Sequence, residues 1–176
     1  GSLEARVRFL MEVMEEVRAR VNGRALLSCR LGLAEAGRDG LTLEDGLRAA
    51  AMLRNCGLDL IHISHGGSSP KHVVPEGSAY PATFHLARAA KEQLDIPVIG
   101  VGGIKRGADA QKALDDEMAD LVAVGRAILA DPGWALKVLS GRQQEISVCI
   151  DCRPRCFHFT EPSRCPARKK LAAGAV

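Results

Sequence analysis

Aromatic side chains are scarce in this sequence: of 176 residues, four are phenylalanine, one is tyrosine and one is tryptophan. With so few rings and a formal net charge of only +3 at pH 7, the chain offers neither stacking platforms for bases nor a strong pull on a phosphate backbone, which argues against nucleic acid as a partner. No apolar run approaches the roughly 20 residues needed to cross a bilayer. The opening stretch GSLEARVRFL also lacks the basic-then-apolar layout of a secretory signal. These absences predict a soluble, cytoplasmic protein with no membrane partner. What is present is ordinary globular material, 47% hydrophobic and 26% charged, with Leu, Val, Ile and Ala spread along a length that suits one domain.

Cysteine placement says more than cysteine number. Cys29 and Cys56 fall inside predicted regular elements, whereas Cys149, Cys152, Cys156 and Cys165 crowd into the last segment. In a reducing compartment such crowding suggests metal or iron-sulfur chemistry before disulfides. The first three follow a C-x2-C-x3-C pattern, with Cys165 after eight more residues. Thiolates so spaced can converge on one centre because a tight loop folds around it. Tetrahedral sulfur ligation serves zinc or an iron-sulfur cluster alike, and free or disulfide-forming thiols are the third reading.

Hydrophobic periodicity orders the rest. Leu3, Val7, Leu10, Met14, Val17 and Val21 recur at helical steps, with Ser2 placed to cap and Gly23 to end the helix. The apolar run Ala25–Leu31 reads as a buried strand closed by Gly32, and Thr42 caps a second helix through Cys56. Leu58–Ser64 reads as a second strand, followed by a long Gly-, Ser- and Pro-rich connection from His65 to Ala82 where ligand contacts are expected. A helix over Thr83–Leu94 leads to the strand IPVIGVGG. A shorter helix over Ala108–Leu114 leads to the strand DLVAVGR, and a last helix covers Ala127–Leu139.

Nearly all-apolar strands separated by helices predict an α/β fold with parallel strands and right-handed crossovers. Four such βα units make half of a TIM-type (βα)8 barrel or a small open sheet. An isolated half leaves sheet edges bare, so another element is expected to cover them. The helix before the first strand suits a barrel entered partway round. The expected division is a half-barrel over residues 1–140 and a Cys-rich segment over residues 141–176.

In βα barrels functional groups gather where strands end, and a phosphate site is frequently built from the loops after the last two strands. Gly102 and Gly103 close the third predicted strand; Gly125 and Arg126 close the fourth, directly before a helix. Glycine lets an oxyanion approach backbone N–H groups, and Arg126 adds a formal positive charge, so together they can hold a phosphomonoester. Tight turns that simply need glycine are the alternative. Arg30, inside an otherwise apolar strand, needs a partner once buried: a carboxylate at the barrel mouth, or an anion or electron-rich ring above it. His62 is expected in the barrel or its wall, His65 and His72 on the loop, and Tyr80 in a surface or packing role.

The segments GSLEARVRFLMEVMEEVR, SCRL, LDLIHIS, IPVIGVGGI, ADLVAVGRAILADP and CIDCRPRC, in this order, resemble the old yellow enzyme family of FMN-dependent oxidoreductases. More narrowly they resemble the iron-sulfur branch that includes 2,4-dienoyl-CoA reductase and trimethylamine dehydrogenase. The resemblance runs from Ser2 to Cys156 and implies the second half of the barrel. It implies FMN, with Arg30 against the flavin ring system and the turns Gly102-Gly103 and Gly125-Arg126 on its phosphate. It further implies a [4Fe-4S] cluster, with zinc as the alternative, on Cys149, Cys152, Cys156 and Cys165. Hydride or electron transfer from NAD(P)H to an unsaturated small molecule is the implied activity. The family's first four strands, with its substrate-anchoring histidines and tyrosine acid, have no counterpart here, so no catalytic acid is assigned and the chain is expected to pair with itself or with another half-barrel. Two rivals remain: a non-catalytic module for phosphate ligands, and a zinc-binding structural half-barrel that assembles with another chain.

Overall fold

A serine hydroxyl starts the fold. Ser2 Oγ accepts the Ala5 N–H at 3.2 Å, satisfying one of the free donors at the start of α1, Leu3–Val21. The structure is a computed structural model and describes residues 1–173 apart from 38, 67, 68, 71, 72, 154, 155 and 157. Leu3, Val7 and Met14 form the buried stripe of α1, as their spacing predicts. The helix ends at Asn22, which takes the left-handed conformation with φ 48°, one that asparagine tolerates better than most side chains.

Four parallel strands follow in the spatial order of the sequence: β1 Ser28–Glu35, β2 Leu60–Gly66, β3 Val98–Val101 and β4 Leu121–Ala123. Arg30 lies opposite His62 in the β1–β2 ladder, and His62 opposite Ile99 in the β2–β3 ladder. The crossovers are α2 Leu43–Asn55, α3 Ala82–Gln93 and α4 Gly107–Asp115. Thr42 caps α2 by accepting the Asp45 N–H at 3.1 Å. This is the α/β order and parallel pairing of four consecutive units of a (βα)8 barrel.

β2 runs two residues later than the expected Leu58–Ser64, and β3 and β4 are shorter than the expected strands; two further elements differ in character. The first strand begins at Ser28, not Ala25, and passes through Gly32 to Glu35. Ala25 and Leu26 are exposed, Leu26 at 79%, whereas Leu27 is buried just ahead of the strand. A Cβ at Gly32 would meet Gly66 N at 3.0 Å, so this glycine permits close approach of β1 and β2 instead of ending the strand. The helix expected over Ala127–Leu139 is two helices, α5 Arg126–Ala130 and α6 Trp134–Leu139. Pro132 lacks the N–H that would continue the ladder, and Asp131 turns the chain, its Oδ1 accepting the Gly133 N–H at 2.9 Å.

The described residues gather into two compact units, Gly1–Val101 with Leu114–Val122, and Gly102–Ala113 with Ala123–Val176. In the first, Leu33, Leu53, Ile61, Ile63, Phe84, Leu86 and Val98 are almost wholly shielded from water, each worth about 1.5–3 kcal/mol relative to exposure. An aspartate device repeats at the entrances to its strands. Asp59, just before β2, accepts the Leu27 N–H at 2.6 Å, and Asp120, just before β4, accepts the Val98 N–H at 2.9 Å. Arg18 pairs with Asp59 at 2.5 Å and Lys91 with Asp120 at 2.9 Å. The Leu27 N–H and then Arg18 hold the Asp59 carboxyl below its usual range. Such bracing at the N-terminal ends of barrel strands serves stability and leaves the opposite ends for function.

In the second unit the organising group is Asp131, wholly buried. Its Oδ2 accepts Lys137 Nζ at 2.6 Å and the Ser147 N–H at 2.9 Å, tying α6 to the segment that leads into the cysteines. Cys165, Ala130 and Ala167 form a small buried cluster against which Cys149 packs. α7, Pro166–Ala173, closes the described chain. Among the described residues no helix is long and apolar enough to cross a membrane.

Candidate functional site

The turn after β3 is built from two glycines with positive φ, 119° at Gly102 and 72° at Gly103, a path that side-chain-bearing residues rarely follow. The backbone beyond it is fixed. Asp109 Oδ2 accepts the Lys105 and Arg106 N–H groups at 2.9 and 2.8 Å, and the Lys105 carbonyl accepts Trp134 Nε1–H at 2.7 Å. The Lys105 side chain projects from this anchored backbone. After β4, Gly125 precedes α5 with φ −106° and no side-chain cap. Nothing lies within 4 Å of the place a Cβ would take there. Open space beside an uncapped backbone is what an approaching oxyanion requires. Because α5 has only five residues, local N–H groups and the Arg126 charge matter more than any helix dipole.

The two turns meet on one anion. Arg126 Nη1 lies 2.8 Å from Asp151 Oδ1, and Lys105 Nζ pairs with Asp151 Oδ2. The Lys105 hydrogen bond outweighs partial burial and, with the charges of Lys105, Arg126 and Arg153, holds the Asp151 carboxyl below the usual carboxylate range. Of the expected phosphate residues, Gly102, Gly103, Gly125 and Arg126 therefore stand in one compact unit. Sequence reasoning missed Lys105 and Asp151. Lys105 carried a signal, being two residues beyond Gly103. Asp151 carried none, because it lies 25 residues from Arg126 and only folding brings it there.

Arg30 is exposed on β1, and its Nη2 donates to Ser64 Oγ at 3.1 Å. Among the described residues no carboxylate pairs with it, so the expected alternative of a salt bridge at the barrel mouth is not realised. Its ladder neighbour His62 is half-buried, with Nε2 buried and without a partner among the described residues. Burial first and the Arg30 charge second push the His62 imidazole below its ordinary pKa. The face that alternates with the core side thus carries a cation, a hydroxyl and a neutral imidazole. His65 Nδ1 lies 3.3 Å from the Gly66 carbonyl oxygen; His72 lies outside the described residues. Tyr80 tilts on Phe84 with ring centroids 5.7 Å apart and donates to Asp116 at 2.5 Å, the packing role expected for it.

Cys149, Cys152 and Cys156 are half-buried and Cys165 is buried, all as free thiols. Among the described residues no three His, Cys, Asp or Glu side chains gather to hold a metal ion. As placed, the four thiols do not form a four-thiolate centre, and residues 154, 155 and 157, which flank Cys156, lie outside the described residues.

Comparison with known proteins bears on this arrangement. An NADH oxidase of Thermoanaerobacter brockii is 37% identical over 159 residues, which cover 89% of this chain and 24% of that protein. A 2-naphthoyl-CoA reductase in complex with 2-naphthoyl-CoA superposes with a TM-score of 0.76 at 28% identity, over 90% of this chain and 24% of that one. The old yellow enzyme homologue of Zymomonas mobilis superposes with a TM-score of 0.57 at 19% identity, over 80% of this chain and 38% of that one, a likeness of fold. The chain spans 22–25% of the length of the curated relatives it matches first. The β3 and β4 turns fall inside the stretch, residues 1–145, that matches the NADH:flavin oxidoreductase / NADH oxidase family, and the chain belongs to that family.

Proposed function

We propose that this chain is the phosphate-side half of an FMN-dependent oxidoreductase barrel, with residues 1–140 forming the half-barrel and residues 141–176 a cysteine segment that holds a cluster. In this reading the completed barrel, closed by a second copy or by another half-barrel, takes reducing equivalents from NAD(P)H and passes them to an unsaturated small molecule. The observation that carries the reading is the convergence of Lys105 and Arg126, one from each strand-end turn, on a single carboxylate. A place that already accommodates one oxyanion between two cations, beside glycine backbone, suits a phosphomonoester.

When bound, FMN supplies the hydride- and electron-accepting ring. The chain's own groups supply the rest. Gly102, Gly103 and Gly125 let the phosphate oxygens reach backbone N–H groups, while Arg126 and Lys105 neutralise its charge. Arg30 would lie against the ring system. Among the described residues its side-chain partner is the neutral Ser64 hydroxyl, so its positive charge would be available to stabilise negative charge developing on the ring during reduction. The depressed pKa of His62 keeps that imidazole neutral at pH 7, so it would add a hydrogen-bonding group without a second cation.

Flavin uptake tests this. The purified chain is titrated anaerobically with FMN and with riboflavin, which lacks the phosphate, while the emission of its single tryptophan and the flavin absorbance are recorded. Arg126→Gln is expected to weaken FMN binding roughly tenfold, about 1.4 kcal/mol, and to leave riboflavin unaffected. A chain that takes up no FMN ends the proposal.

For the cysteine segment, the donor set is that of a soft-metal site, and the resemblance to the iron-sulfur branch favours a [4Fe-4S] cluster over zinc. Anaerobically purified protein is expected to carry about four irons and four sulfides per chain, lost in Cys149→Ser and Cys152→Ser. About one zinc in their place assigns the segment to a structural metal site. Neither metal leaves the thiols as packing groups.

A further inference from the structure

The cation pair at the two turns is engaged by an anion of the chain itself, and the manner of engagement is informative. The Asp151 carboxylate is divided, one oxygen to Arg126 Nη1 and the other to Lys105 Nζ, which leaves Arg126 without the paired, fork-to-fork contact that makes such bridges strong. Lys105, Arg126 and Asp151 retain 38%, 50% and 36% of their side-chain exposure, so a dissolved anion can reach all three. Asp151 also holds φ 51°, a conformation glycine adopts freely and other residues adopt at a cost. A carboxylate is thus kept where the backbone would be more relaxed without a side chain. Its Oδ1 lies 3.9 Å from Cys149 Sγ, and Cys152 is the next residue, so any movement of Asp151 moves the cysteine segment.

We propose that Asp151 is a built-in competitor for the ligand's phosphate: it holds Lys105 and Arg126 in the absence of ligand, and it yields them, shifting the Cys149–Cys152 segment, when a phosphomonoester dianion binds. The proposal rests on the reading of the two turns as a phosphate cradle and adds how that cradle is regulated. A dianion attracts both cations more strongly than a single carboxylate does, so it wins the exchange. While Asp151 stays nearby, like-charge juxtaposition lowers the affinity. By linkage, whatever holds the cysteine segment in place disfavours the phosphate, and phosphate loosens the segment to the same extent.

The test uses the full chain and reads binding, not turnover. Wild type, Asp151→Asn and Asp151→Gly are titrated with inorganic phosphate, FMN and riboflavin, following emission from Trp134, whose indole is bonded to the Lys105 carbonyl. Asp151→Asn removes the charge and keeps the size; Asp151→Gly also relieves the backbone and carries the test should the asparagine variant fold poorly. Phosphate and FMN are expected to bind both variants roughly tenfold more tightly than wild type, with riboflavin unchanged. The gain is expected to vanish when Arg126→Gln is added. Wild type that binds FMN, with variants that bind phosphate and FMN no more tightly, overturns the competitor role and leaves the cradle standing. A chain whose wild type and variants bind neither phosphate nor FMN overturns the cradle itself and this proposal with it.

Discussion

Replacing Asp131 with alanine is expected to lower the unfolding free energy of the chain by about 3–5 kcal/mol, the cost of removing one partner from a buried ion pair. The carboxylate is wholly buried and accepts from Lys137 Nζ, the Ser147 N–H and the Gly133 N–H at 2.6, 2.9 and 2.9 Å. Truncation leaves two backbone donors without acceptors and an ammonium, 14% exposed, with only the Glu145 carbonyl oxygen as a partner among the described residues. Exposed pairs such as Arg88–Glu92 are each worth about 1 kcal/mol or less, so a charge deletion there is expected to have little effect on the same urea curve. A loss below about 1 kcal/mol at Asp131 contradicts its role as the organising group of this unit.

The same group dictates a pH dependence. Burial alone raises the Asp131 carboxyl, but the bonds from Lys137, Ser147 and Gly133 prevail, and its folded-state pKa is lowered. A depressed carboxyl contributes stability that is fully present above its unfolded value, about 3.9. That stability is lost as pH falls through the lower folded-state value. Wild type and Asp131→Ala are therefore expected to differ by a constant amount between neutral pH and about pH 5, and to converge only in stronger acid.

Gly46→Ala is expected to cost at least about 3 kcal/mol, although alanine in the interior of a helix normally stabilises by about 1 kcal/mol over glycine. A Cβ at Gly46 would stand 1.9 Å from the Leu33 carbonyl oxygen and 2.8 Å from Leu33 Cα. These are backbone atoms of β1, so no side chain can swing aside, and α2 must move off the strand or unwind. Leu33 is 0% exposed and Leu53, on the same helix, is also 0% exposed, so separating the two elements opens the core between them. The urea midpoint of the variant measures this directly; a midpoint at or above that of wild type contradicts the close approach of α2 to β1.

How far these features were legible depended on how local their causes are. α1 and α2 were readable because caps and helical spacing act within a few residues: Ser2, Thr42 and the stripe Leu3, Val7 and Met14 do what their spacing implies. The extent of β1 was misread because glycine has two uses, and Gly32 serves close packing against Gly66 where a chain stop was expected. The break between α5 and α6 was written in Pro132 and Gly133, yet its reason, a buried Asp131 drawing in Ser147 from 16 residues away, was not.

For the site, Gly102, Gly103, Gly125 and Arg126 were legible as strand-to-helix turns, since a parallel sheet places successive turns at one rim. The aspartate repeat in LDLI and ADLV was present in the sequence but meaningless until Leu27 and Val98 were seen to donate to it. For the four thiols, spacing proposed a common centre, and the described residues do not assemble one.

The sequence by itself determined the alternation of strand and helix, the direction of the strands and membership of the flavin oxidoreductase family, because periodicity, capping and turn chemistry are settled among near neighbours. Only the tertiary structure decided which charge meets which: Asp131 with Lys137, Asp59 with Arg18, and Asp151 with both Lys105 and Arg126. Ion pairing and hydrogen bonding fall off within a few ångströms in space and are indifferent to distance along the chain. Partners far apart in sequence are therefore chosen by where the backbone sets them down.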